Sequence, residues 1–119
     1  FMIRPSKSTP AYLYSGVVDM RKSIDGLAGI VENELELNPL EPALFVFCNR
    51  GRDKIKILYW ENNGFVLWYK RLEKQKFKWL DDLSVNPCTI SGRDLNRLLD
   101  GLNIFTGKPH EALFYENMN

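Results

Sequence analysis

The sequence predicts a single α+β domain: an antiparallel meander of three or four strands with two main helices packed on one face. Three observations predict it. An apolar stripe of helical period runs from Ile24 to Leu35, the period changes to two from Ala43, and a second leucine stripe begins at Leu95. At 119 residues, with 45% hydrophobic and 13% aromatic content, the chain can bury one core without disulfides or metal.

Residues 1–10, with Pro5 and Pro10, read as an extended arm ahead of a domain spanning 11–108. Ala11 to Tyr14 reads as a short strand. Ile24, Leu27, Ile30, Val31 and Leu35 then fall on one helical stripe, with Asp19 or Ser23 as its N-cap. Gly26 and Gly29 cost helix propensity, about 1 kcal/mol each against Ala, and so suggest close packing of the helix backbone on a sheet. Asn38-Pro39 and Glu41-Pro42 end that helix.

Leu44 to Cys48 reads as a buried strand, Asn49 to Asp53 as a basic loop around Gly51, and Lys54 to Trp60 and Phe65 to Arg71 as a hairpin. A three-residue connection, Asn62-Asn63-Gly64 with Gly left-handed, sets Trp60 opposite Val66, Leu58 opposite Trp68 and Lys56 opposite Lys70. A two-residue Asn63-Gly64 turn instead sets Lys56 opposite Arg71. In the first register Ile55, Ile57, Tyr59, Leu67 and Tyr69 form the core face. Lys54, Lys56, Leu58, Trp60, Val66, Trp68 and Lys70 form a basic and aromatic one. Strand parity alone keeps Lys54, Lys56 and Trp60 together in either register. Phe77 to Leu80 reads as a fourth short strand. Ser91-Gly92-Arg93-Asp94 resembles a capping box before Leu95, Leu98, Leu99 and Leu102, with Gly101 or Gly107 as the stop. Residues 109–119 read as a frayed tail.

Charge is strongly polarised beneath a net +1. Residues 49–79 carry nine basic against three acidic residues, while the segments on either side are both net acidic. A concentrated basic field with interleaved aromatics is the footprint of a nucleic-acid partner; the competing reading is a solvated Lys-rich face. No apolar run approaches a membrane span, and residues 1–16 lack the apolar core of a secretory signal. Cys48 and Cys88 belong to no CxxC pair and His110 is the single histidine, so neither a metal site nor another cofactor is expected and the chain reads as cytoplasmic. Asp19, Asp25, Asp53, Glu61 and Asp82 have no spacing that assembles a two-metal site, and Asn49-Arg50-Gly51-Arg52 is not a phosphate loop followed by a helix. Catalysis has little support.

The pieces Asp19 to Leu27, Leu44 to Phe47 with Asn49-Arg50, Arg52 to Trp60, Gly64-Phe65, Leu67 to Glu73 and Phe77 to Trp79 occur in one order. In these the chain resembles the small accessory protein, often called TnpB, encoded by the second open reading frame of bacterial insertion sequences of family sixty-six. Gln75 stands where that family often has Gly, and Gly51 where it often has a basic residue. The resemblance implies an accessory factor for transposition, encoded beside a larger transposase that carries the cutting chemistry. DNA at the element ends, the transposase, or both are then the partners. The residues add candidates for the DNA contact: Arg50 and Arg52 in the loop, Lys54 and Lys56 on the strand, Lys70 and Arg71 at the hairpin base, and Lys74 and Lys78 beyond it. Trp60 and Trp68 are candidates for stacking on unpaired bases, with burial under the second helix the competing reading for each.

Overall fold

A computed structural model describes residues 9–80, 82 and 84–105. The expected arm (but for residues 9 and 10) and the expected tail lie outside the described residues. The elements are β1 (Ala11–Leu13), α1 (Ile24–Asn33), β2 (Leu44–Cys48), β3 (Lys54–Glu61), β4 (Gly64–Arg71), β5 (Cys88–Ile90) and α2 (Gly92–Leu99). One mixed sheet has the strand order β4-β3-β2-β1-β5. The expected meander is present in β2-β3-β4, whose pairings are antiparallel. It is not the whole sheet. β1 lies parallel to β2, because α1 carries the chain back across the sheet between them, and β5 pairs antiparallel with β1.

The helices do not share a face. Phe45 and Phe47 pack with Leu58 and with Leu27, Ile30, Val31 and Leu35 from α1 and just beyond it. Val46 and Cys48 point the other way, into a second cluster with Ile55, Ile57, Leu95, Leu98 and Leu99. The reason is in β2 itself. Phe45 to Cys48 is apolar at each position, so a cover on one side would leave two large side chains in water. Each fully buried side chain of this kind contributes about 1.5–3 kcal/mol, which makes covering both faces decisive.

The hairpin register differs from both expected forms. Glu61 pairs with Gly64, so the connection is Asn62-Asn63, and Trp60 meets Phe65, Leu58 meets Leu67, Ile57 meets Trp68 and Lys56 meets Tyr69. Asn62, at φ 57°, takes the left-handed conformation expected of Gly64; Asn tolerates it because its short amide bonds locally. The shift of one residue turns all of β4 over. Val66, Trp68 and Lys70 therefore share a face with Ile55 and Ile57, while Phe65, Leu67, Tyr69 and Arg71 share one with Lys54, Lys56 and Trp60.

Two further expectations are corrected. Gly26 and Gly29 do not touch the sheet: a Cβ on the first would meet only the Lys22 side chain at 3.4 Å, and on the second only the Asn33 amide at 4.0 Å. Phe77 to Leu80 joins no strand. The next strand after β4 is instead β5, which pairs with β1 at the opposite edge and is too short and too mixed to stand out. The helix ends fall where the sequence implies, although the Ser23 side chain makes no capping bond. Ser23 precedes α1, the Ser91 hydroxyl accepts from the Asp94 amide at 3.1 Å, and Gly101, at φ 89°, closes α2. Its N–H reaches the Leu98 carbonyl (2.9 Å) and that of Leu102 the Arg97 carbonyl (3.1 Å), the paired bonds of a Schellman motif.

Candidate nucleic-acid interface

The loop between β2 and β3 is built around one side chain. The Asn49 carboxamide oxygen accepts from the amides of Asp53 (3.1 Å) and Lys54 (3.0 Å), and its nitrogen donates to the Asp53 carboxylate at 2.8 Å. That donation, followed by the Lys54 ammonium, holds the Asp53 carboxyl below its ordinary range. Arg50 and Gly51 are left at the tip, and Arg52 turns left-handed at φ 61°. The chain after β4 is then stitched to this loop. The Leu72 amide donates to the Asp53 carbonyl (2.8 Å), that of Phe77 to the Arg52 carbonyl (2.6 Å), and the Lys76 ammonium to the Gly51 carbonyl (2.8 Å).

These bonds divide the ten sequence-predicted residues into two groups. Arg50, Arg52, Lys54, Arg71, Lys74 and Lys78 gather at one end of the sheet, with Lys54 and Arg71 directly paired across β3 and β4. Asp53 and Glu73 dilute the charge there. Lys54 binds Asp53 at 3.2 Å, and Arg71 binds Glu73 at 2.8 Å, a contact that raises the guanidinium pKa further. Arg50, Lys74 and Lys78 are exposed.

Lys56 and Lys70 are engaged elsewhere. The Lys56 ammonium donates to the carbonyls of Met20 (2.7 Å) and Lys22 (2.8 Å), fastening the turn before α1 onto β3, and sits 5.9 Å from the Tyr69 ring centre. The Lys70 ammonium donates to the Leu99 carbonyl at 2.9 Å, at the negative end of the α2 dipole. Trp60 lies six residues along β3 from Lys54, roughly 20 Å away. It is half-buried in an edge-to-face pair with Phe65, ring centres 5.1 Å apart. Trp68 packs against the cluster under α2, the competing placement for that residue. The hairpin therefore carries no single basic and aromatic strip.

An open groove of about 330 Å³ lies at the basic end, lined by Arg52, Lys76, Phe77, Lys78, Trp79, Leu80, Asn103 and Phe105. Lys76, Asn103 and Phe105 were not singled out by the sequence. Lys76 shows the same alternation as Lys78 in a run whose intervening residues, Phe77 and Trp79, are buried. Asn103 and Phe105 come to the groove through the end of α2, and no sequence signal brings them there.

Of the described residues, no helix is long and apolar enough to cross a membrane, and no three His, Cys, Asp or Glu side chains gather as a metal site.

The chain is similar to two proteins of Sinorhizobium fredii (strain NBRC 101917 / NGR234), both called uncharacterized. It is 31% identical to y4hO over 102 residues, covering 86% of this chain and 88% of that protein. It is 33% identical to y4jC over 76 residues, covering 64% of this chain and 65% of that protein. No solved structure matches. The family model described as IS66 Orf2 like protein matches residues 9–109, nearly the whole described fold with both its helices and the basic end, so the chain belongs to the family of IS66 Orf2-like proteins, which gives it an accessory part in transposition.

Proposed function

We propose that this protein is a non-enzymatic accessory factor that contacts DNA during transposition of its insertion sequence, in the cytoplasm and beside the transposase. One observation carries the reading: seven cations, the six named above and Lys76, converge on one end of a chain whose net charge is only +1. The two carboxylates among them are already held by neighbouring groups, so the surface offers donors for phosphate rather than an acid–base pair. Electrophoretic shift of element-end DNA, with and without the transposase, tests it. Arg50→Ala with Arg52→Ala should weaken the shift and abolish transposition in a reporter assay. An undiminished shift in that variant would refute the assignment of this end.

A second reading has its own observation. β4 is an edge of the sheet, eight residues long, and its Tyr69 is 48% exposed. A free edge can accept a strand from a partner protein, here the transposase. Generic DNA would then fail to displace transposase from the protein, whereas it would compete if the basic end were the shared contact.

A further inference from the structure

We infer that the groove at the basic end takes a single-stranded stretch of nucleic acid, with its phosphates on Lys76 and Lys78 and one base against Phe105. The inference rests on the DNA-binding reading and narrows it. Three features support a single strand over a duplex. First, the surface is concave: the groove's volume of about 330 Å³ lies within the range of small-ligand sites and suits one nucleotide, whereas a duplex would rest on the rim.

Second, the cations have a linear spacing. The run from Lys76 to Lys78 exposes alternate residues and buries Phe77 and Trp79, an alternation that on strand spacing sets the two lysine side chains leaving the backbone roughly 7 Å apart, close to the spacing of successive phosphates in one strand. The Trp79 indole holds this run in place by donating to the carbonyls of Tyr14 (3.2 Å) and Gly16 (3.3 Å). Lys76 spends one of its three protons on the Gly51 carbonyl and keeps two for an anion. Among the described residues, no carboxylate lines the groove.

Third, an aromatic ring from outside the lysine run also lines the groove. Phe105 is half-buried on the core, leaving part of its ring open to the groove, and Asn103 fixes its backbone by accepting from the Phe105 amide at 2.9 Å. A ring and cations lining one groove is how strand-binding proteins combine stacking with backbone neutralisation.

Fluorescence anisotropy with a labelled thymidine oligomer of about twelve nucleotides, and with a duplex of equal length, tests the inference. The oligomer should bind tighter than the duplex. Phe105→Leu, which keeps an apolar side chain on the core, should weaken the oligomer roughly tenfold and leave the duplex unmoved, while Phe105→Trp restores the loss. Lys78→Ala should weaken both and lower the salt slope for the oligomer by about 0.7. If the duplex binds as tightly as the oligomer and Phe105→Leu changes neither, the single-strand inference falls and the DNA-binding reading stands. If neither nucleic acid binds and an oligoglutamate peptide does, both fall.

Discussion

At the scale of single residues, lysines alike in sequence divide by what holds their ammonium groups. Lys56 satisfies two backbone carbonyls before α1, so Lys56→Met should cost about 1–3 kcal/mol of stability in a urea titration and leave DNA affinity and its salt slope unchanged. Arg50→Ala should do the reverse: stability within about ±0.5 kcal/mol, and a duplex salt slope shallower by about 0.9. The contrast separates a structural cation from one that meets phosphate. Cys48 gives a different kind of test. Burial pushes its thiol up to about 12, with the Arg52 charge acting in the opposite direction, whereas in the unfolded chain it ionises near 9.0. The folded state therefore holds the proton longer. This contribution is complete below pH 9 and is lost as pH rises towards 12, by up to about 1.4 kcal/mol per unit. Urea midpoints at pH 8 and pH 10.5 should fall further for the native chain than for Cys48→Ala. Tyr12, Tyr14 and Tyr59, all raised chiefly by burial, titrate alike in both chains and cancel from the comparison.

At the scale of elements, three glycines that look alike in the sequence behave differently. Gly29 in α1 has a negative φ and open space, so Gly29→Ala should stabilise by about 0.4–1 kcal/mol, chiefly by restricting the unfolded chain. Gly26→Ala should do nearly the same, since only the flexible Lys22 side chain must yield. Gly101 is the opposite case. Its φ is 89°, and a Cβ would lie 2.9 Å from the Gln75 carboxamide oxygen, so Gly101→Ala should cost at least about 1 kcal/mol in thermal melts. The hairpin follows the same logic of local backbone preference. Asn62 accepts the left-handed conformation, and Asn62→Val should destabilise by about 1–2 kcal/mol, because a β-branched side chain is strained there.

At the scale of the whole molecule, the basic end is produced by a crossing. β4 and β5 occupy opposite edges of the sheet, so the chain from Leu72 to Pro87 must traverse the face that α2 covers. It buries Phe77 and Trp79 in that face and turns Lys76 and Lys78 outward beside the loop before β3. At its far side the buried Ser15 receives it: the Ser15 amide donates to the Asn86 carboxamide oxygen at 3.1 Å, and its hydroxyl donates to the Val85 carbonyl. About five phosphate contacts at this end predict that duplex affinity falls between about 10²- and 10³-fold from 50 to 200 mM salt. Filter binding across that range checks it, and a flat profile would count against the interface.

The sequence by itself determined the family, the α+β class, both helices and the Ser91 cap of the second, the three central strands and the segment that holds the positive charge. Each of these is written locally, in a period, a cap, a motif or a run of like charges. Tertiary structure alone decided which face each residue took. The hairpin register depended on whether Asn62-Asn63 or a neighbouring set of residues made the turn, and one residue's difference sent Trp68 and Lys70 to the side opposite Trp60 and Lys56. The placement of α1 and α2 on opposite faces was half legible in the unbroken apolar run of β2, but not the pairing of three-residue strands at the far edge. Strands that short carry too little pattern to specify a partner, and their positions are set by the core they close. The groove follows from those placements, since its two walls are about 25 residues apart in sequence and meet only when the sheet order brings the end of α2 against the crossing chain.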